Sequence, residues 1–120
     1  MTELDAGTLD ALRAAGARLL ALPRDGTRPR QAILVLDAQG TPRAYLNECR
    51  HLPVPLDGGS GDLFDATGRY LLCGTHGALY ETRAGLCVEG PCVGQRLVPL
   101  GLRRDGERLW LDPRDPRTPR

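Results

Sequence analysis

Two short pairs of residues give this chain its clearest potential for chemistry: Cys49 with His51, and Cys73 with His76. The sequence has 120 residues, with four cysteines and two histidines. Each histidine lies two or three positions after one of these two cysteines. Two thiolates and two imidazoles make a complete set of four metal ligands. The sequence therefore predicts one metal centre, and no histidine is left for a second site that needs one.

Three kinds of site could use these side chains. A [2Fe–2S] cluster can be held by two cysteines and two histidines, the histidines on one iron, and two loops that each supply one Cys and one His meet that need. A single zinc ion also takes Cys₂His₂ sets, but its ligands usually come as a Cys pair and a His pair. A Cys–His dyad for nucleophilic catalysis would leave one pair unexplained. We rank the cluster first, zinc second and the dyad last.

The elements that position these pairs are predicted to be short. Leucines at near-helical spacing predict a helix over residues 1–22 that ends before Pro23. A turn signal at 37–40 predicts a hairpin, with the first Cys–His pair on the loop after its second strand. The predicted strands are 32–36, 43–47, 70–72, 97–102 and 108–111. This pattern indicates an all-β chain with one leading helix.

Composition narrows the function classes. The chain is 41% hydrophobic and 26% charged, which is typical of one globular domain. A net charge of +1 argues against a dedicated nucleic-acid binder. The longest aliphatic run, at 33–36, is too short to span a membrane, and the acidic start does not match a secretory signal. We therefore expect a cytoplasmic protein, in which four cysteines favour metal or redox chemistry over disulfides.

At these motifs the chain resembles the Rieske-type ferredoxins and Rieske iron–sulfur domain proteins. The matching residues are Cys49-Arg50-His51, Cys73-Gly74-Thr75-His76-Gly77, Tyr80, Gly85 and Glu89-Gly90-Pro91-Cys92. The resemblance covers residues 25–111 and implies the Rieske-like ISP-domain fold, in which small antiparallel sheets carry an inserted cluster-binding subdomain. It divides the chain into a helical extension over 1–24, a Rieske domain over 25–112 with cluster loops at 47–55 and 72–94, and a flexible tail over 113–120.

The resemblance also implies one [2Fe–2S] cluster per chain. Cys49 and Cys73 would bind the buried iron, and His51 and His76 the exposed iron through Nδ1. Residues expected to surround the ligands are Gly77, Tyr80, Gly90 and Pro91, with Gly90-Pro91 forming a third loop that shields the cluster. In this pattern Tyr80 would donate a hydrogen bond to a ligand sulfur, or would simply pack.

Several positions depart from the high-potential respiratory members of that family. Val54 and Thr75 stand where those members have a disulfide, and Ala78 stands where they have a serine that donates to a bridging sulfide. Fewer hydrogen bonds to sulfur should lower the reduction potential. Cys87 and Cys92 are expected to be two partly buried thiols, with a reversible disulfide as the alternative.

The function implied is that of an electron carrier between a reductase and an oxygenase or other oxidoreductase, with no enzymatic activity of its own. Arg50 would add positive charge to a docking surface for such a partner, or would be an ordinary solvated loop residue. No nucleic-acid or membrane partner is expected. The alternatives are a zinc-binding or a redox-sensing interaction module on the same scaffold.

Overall fold

The structure is a computed structural model that describes residues 3–25, 28–50, 54–58, 62–74, 77–114 and 116. In this part of the chain the elements, in order, are β1 (Leu4–Thr8), α1 (Leu9–Ala15), β2 (Ala17–Asp25), β3 (Arg28–Leu36), β4 (Pro42–Leu46), β5 (Tyr70–Leu72), β6 (Leu79–Glu81), β7 (Cys87–Glu89), β8 (Leu102–Asp105) and β9 (Arg108–Leu111). No helix among the described residues is long and apolar enough to cross a membrane.

The described strands form three antiparallel sheets of three strands each, in the orders β1-β9-β8, β2-β3-β4 and β5-β6-β7. The third sheet lies in the sequence between β4 and β8, so it is an insertion between strands of the other two sheets. This arrangement confirms the predicted all-β fold with an inserted subdomain and one short helix.

Strand β3 separates two hydrophobic cores. Ile33 and Val35 belong to the core shared with the inserted sheet, while Ala32 and Leu34 belong to the core shared with β1, α1, β8 and β9. Side chains alternate between the two faces of a strand, so a central strand with both faces covered needs an unbroken apolar run. The central position of β3 therefore explains the aliphatic run at 33–36.

The prediction of a helix over residues 1–22, and with it a helical extension over 1–24, is wrong. Only Leu9–Ala15 is helical within the described residues, with Thr8 as its N-cap and Gly16, at φ 79°, closing its C-terminal end. β2 follows at once and pairs with β3 over Ala17–Asp25. Its leucines face the two cores alternately, and this tertiary pairing outweighs the weak helical periodicity. Pro23 is tolerated because β2 is an edge strand.

The other predicted strands agree with the structure, except that the strand expected at 97–102 begins only at Leu102. The residues before it run along the inserted sheet and β4, through an isolated bridge from Tyr45 to Pro99 and a hydrogen bond from the Leu46 N–H to the Val98 carbonyl at 2.8 Å. The chain therefore crosses between sheets here instead of starting β8 early.

The hairpin of β3 and β4 brings the chain to the first predicted ligand loop, and Asp37 shapes its turn. Its buried carboxylate accepts the backbone N–H groups of Gln39 at 3.0 Å and Thr41 at 2.9 Å, and Arg43 Nε at 3.1 Å. The turn predicted at 37–40 is confirmed. The geometry of this turn fixes the register of β3 against β4. It therefore also fixes where Asn47 and Cys49, which follow β4, are placed.

Candidate metal centre

The two predicted ligand loops are built alike. The Cys49 N–H donates to the Val54 carbonyl at 2.8 Å, and the Cys73 N–H donates to the Ala78 carbonyl at 2.9 Å. In both cases the acceptor lies five positions after the cysteine. The second loop is closed further by Gly77, whose N–H donates to the Cys73 carbonyl at 2.8 Å and whose φ of 73° suits glycine. Each cysteine is thus fixed at the start of a closed backbone turn.

A short segment after the first loop ties it to the second. The Leu56 carbonyl accepts the Gly74 N–H at 2.9 Å, and the Leu56 N–H donates to the Asn47 side chain at 2.9 Å. Asn47 is itself buried and donates to both Asp57 and Gln31 at 3.2 Å. The two cysteine-bearing loops therefore share one hydrogen-bonded frame anchored on β3.

Cys49 and Cys73 are both buried, at 3% and 0% exposure, and belong to the same hydrophobic core. Two thiols on two tied loops, in apolar surroundings, suit the buried end of a [2Fe–2S] cluster, since thiolates are its ligands. His51 and His76 lie outside the described residues, so their part in the predicted ligand set stays a prediction.

The hydroxyl of Tyr80 lies beside Cys49. Its oxygen is 3.6 Å from Cys49 Sγ, accepts the Arg50 N–H at 2.9 Å and is 3.1 Å from Cys92 Sγ. Burial raises the pKa of Tyr80, so the hydroxyl keeps its proton. The tyrosine singled out in the sequence therefore has its polar end within hydrogen-bonding distance of a predicted ligand sulfur.

The third loop, over 90–94, packs on the second one. Gly90 lies against the backbone of Ala78, and Pro91 is exposed at the surface of the loop. Cys87 and Cys92 flank its tip, both buried, with sulfurs 3.3 Å apart, which is within thiol hydrogen-bonding distance, and no disulfide joins them. Burial and the neighbouring Cys92 raise the pKa of Cys87 to about 11, so it is a protonated thiol at neutral pH.

Arg50 is held at its backbone, through the bond to Tyr80, and its side chain is partly buried. Its Nε is buried and has no hydrogen-bond partner among the described residues. A guanidinium nitrogen in that position is not the fully solvated group of an ordinary loop arginine. Its part in docking stays a prediction.

Two residues of the site were missed by sequence reasoning. Asn47 was placed at the end of a strand without a role, although an Asn two residues before Cys49 could have suggested a loop-organising side chain. Cys92 was expected to be a bystander thiol, and no local pattern indicates that it contacts Tyr80, which lies on a different strand.

A comparison with family models matches residues 2–103 to the Rieske [2Fe–2S] domain. A search of the curated proteins finds no match. Among solved structures, the ferredoxin of carbazole 1,9a-dioxygenase from Nocardioides aromaticivorans IC177 is similar with a TM-score of 0.66 and 25% identity, over 95% of this chain and 100% of that one.

Two further structures share the fold. One is a complex of reduced oxygenase and oxidized ferredoxin in carbazole 1,9a-dioxygenase, with a TM-score of 0.67 and 17% identity over 94% of each chain. The other is the terminal oxygenase of carbazole 1,9a-dioxygenase from Novosphingobium sp. KA1, with a TM-score of 0.69 and 16% identity. The match covers 91% of this chain but 29% of that oxygenase chain, so this chain corresponds to one part of it.

Proposed function

The chain belongs to the Rieske [2Fe–2S] domain family, and on that premise we propose that it is a one-electron carrier, not an enzyme. Its cofactor is a [2Fe–2S] cluster, which when bound accepts and releases one electron. We further propose that Cys49 and Cys73 bind one iron and that His51 and His76 bind the other. The observation that carries this proposal is the pair of buried cysteines on two alike, hydrogen-bonded loops.

The proposal of a carrier is supported by the extent of the similarity. The chain corresponds to the full length of a ferredoxin of carbazole 1,9a-dioxygenase and to less than a third of an oxygenase chain. An oxygenase of this type needs a second iron held by two histidines and a carboxylate. This sequence has two histidines in all, and both belong to the proposed cluster set.

We propose that the partners are a reductase that supplies electrons and an oxygenase, or another oxidoreductase, that accepts them, in the cytoplasm. The third loop supports such docking. Val88 and Val93 are the large apolar side chains exposed in the described part of the chain, at 44% and 62%. Val88 lies on β7 just before the third loop and Val93 lies in it, and this loop packs against the second ligand loop. A partner seated on these valines would therefore lie close to the proposed cluster. Exposed apolar groups of this kind mark interaction surfaces.

The cofactor proposal is tested by isolating the protein without oxygen. The expected result is a brown protein with two irons and two sulfides per chain and an EPR signal on reduction. Single Cys49→Ser and Cys73→Ser variants should lose most of the cluster, while Cys87→Ser should retain it. A colourless protein with one zinc per chain would instead support the zinc-binding module.

The carrier proposal is tested by mixing the reduced protein with an oxidized Rieske oxygenase and following the oxidation of the cluster. Val93→Asp should slow the second-order rate about tenfold or more, because docking would then have to bury a charged carboxylate at the contact. The reduction potential should stay unchanged. Ala38→Asp is the matched control, since Ala38 is exposed on the turn at the opposite end of β4 from the ligand loop. Equal effects of both variants would refute docking through the third loop.

A further inference from the structure

The Tyr80 hydroxyl has three hydrogen-bonding neighbours among the described residues: the Arg50 N–H at 2.9 Å, Cys92 Sγ at 3.1 Å and Cys49 Sγ at 3.6 Å. Tyr80 is fully buried, so these neighbours decide how the hydroxyl is oriented. A phenol has one proton to donate and lone pairs to accept. The Arg50 N–H can only donate, so it takes up one lone pair.

The single hydroxyl proton can go to one of the two sulfurs. Under the proposed function Cys49 is a thiolate bound to iron, whereas Cys92 is a thiol. An ionised acceptor forms the stronger hydrogen bond, especially where water is excluded. The proton of Tyr80 therefore points to Cys49, and the remaining lone pair of its oxygen faces Cys92. In that arrangement Cys92 must be the donor.

The Cys87 sulfur is a second acceptor within reach of the Cys92 S–H. Cys87 donates its own proton to the Glu89 carbonyl at 3.2 Å, and its sulfur can accept from Cys92 Sγ at 3.3 Å. Sulfur is a weak acceptor compared with a phenol oxygen. Of these two acceptors, the Tyr80 oxygen therefore forms the stronger hydrogen bond with the S–H of Cys92.

We infer that Cys92 is a positioning residue for the cluster. Its S–H donates to the Tyr80 oxygen, fixes the hydroxyl toward Cys49 and polarises it, because donors in a chain strengthen one another. A hydrogen bond to a ligand sulfur favours the more negative, reduced cluster and raises its potential. This inference rests on the proposed function, since it requires Cys49 to be a cluster ligand.

The test is a mutant cycle read out as the reduction potential, measured by spectroelectrochemical titration. Tyr80→Phe and Cys92→Ala should each lower the potential. Cys92→Ser should stay close to wild type, because a hydroxyl replaces the S–H donor. In the Tyr80→Phe background, Cys92→Ala should cause no further decrease. Cys87→Ala is the matched control for loss of a neighbouring buried thiol, and it should leave the potential unchanged.

A second readout does not depend on electron transfer. The S–H stretching band of Cys92, identified by its loss in Cys92→Ala, should shift to higher frequency in Tyr80→Phe, because the thiol loses the phenol oxygen and is left with the weaker acceptor Cys87 Sγ. A rise in potential in Cys92→Ala, no change, or the same decrease with and without the Tyr80 hydroxyl would overturn the inference while the proposed function stands. A wild-type chain that binds zinc and no cluster would overturn both.

Discussion

Gly90 approaches Ala78 so closely that a β-carbon on Gly90 would lie 2.7 Å from the Ala78 α-carbon and 3.1 Å from its nitrogen. Gly90 also has a φ of 102°, which side chains rarely adopt. The third loop can therefore cover the second ligand loop at this distance because residue 90 has no side chain. The shielding loop implied by the resemblance has a steric basis in this contact.

Gly90→Ala is expected to push the third loop away from Ala78 and to shorten the lifetime of the cluster in air. Backbone strain and overlap together should cost roughly 2–4 kcal/mol of unfolding free energy. The measurement is the decay of the visible absorption, alongside urea unfolding.

Gly94→Ala is the matched control for Gly90→Ala. Gly94 has a similar φ of 91°, but a β-carbon there would meet no atom within 4 Å. This variant should show the strain alone, roughly 1–2 kcal/mol, with near-normal cluster lifetime. If both variants lose the cluster at the same rate, the overlap with Ala78 does not hold the loop in place.

Ala78→Ser is expected to raise the reduction potential, since it restores the hydroxyl that the high-potential respiratory members carry at this position. Ala78 is fully buried, and its carbonyl holds the Cys73 N–H, so a hydroxyl here would sit within the second ligand loop. The wild-type potential should lie toward the low end of the Rieske range of about −150 to +300 mV. Protein-film voltammetry of both proteins gives the two values.

Ala32→Ser buries the same hydroxyl in the other core and serves as the control for Ala78→Ser. It should lower stability and leave the potential unchanged. A wild-type value above about +200 mV on the same scale, or no increase in Ala78→Ser, would contradict the argument from the missing serine.

Local sequence patterns were sufficient where neighbours in sequence are also neighbours in space. The turn at Asp37 and the hairpin around it could be predicted because the turn residues bond to one another. These are the parts of the fold that the sequence predicts correctly. The ligand spacing of the two boxes is likewise a local property of each loop, and the ligand set read from it stays a prediction.

The remaining features depend on contacts between distant segments. Residues 17–25 form a strand because β3 lies beside them, and leucine spacing alone does not distinguish that outcome from a helix. β6 and β7 have three residues each, which is too short for the alternation of apolar and polar side chains in a strand to be recognised. The glycines around them also indicate loops rather than strands. The contact of Cys92 with Tyr80 arises only when the third loop folds onto β6.

Asp37→Ala is expected to destabilise the protein by roughly 1–3 kcal/mol, because it leaves two backbone N–H groups of the turn without their acceptor. The ion pair with Arg43 adds little, since the Arg43 side chain is 40% exposed. Urea unfolding at neutral pH gives the value. Asp10→Asn, which alters a highly exposed pair with Arg13, should change stability by less than about 0.5 kcal/mol.

The charge of Asp37 also makes a pH-dependent contribution. Burial acts to raise the pKa of Asp37, but hydrogen bonds from Thr41, Arg43 and Gln39 outweigh it and lower the pKa below its usual value. The stabilisation is therefore complete above the unfolded pKa of about 3.9 and is lost as pH falls through the lower folded value. Carboxyl-carbon NMR should show Asp37 titrating below the usual aspartate pKa of about 3.9. A higher pKa for Asp37 would contradict this account.

Cys87 is expected to react slowly with alkylating agents in the folded protein. With the pKa raised to about 11, first by burial and then by Cys92, the rate should rise about tenfold per pH unit up to about pH 10. An ordinary thiol would level off near its pKa of about 8.5. Mass spectrometry of alkylated peptides over that range, with circular dichroism to confirm folding, gives the profile.

The same peptides show whether Cys87 and Cys92 are bridged, because a disulfide would block alkylation of both even in urea. We expect two thiols that label fully after unfolding, since a buried, protonated Cys87 is a poor nucleophile for disulfide exchange. Rapid labelling of folded Cys87 at about pH 8, where an ordinary thiol is already roughly a quarter ionised, would show that the third loop opens or that its interior is not apolar.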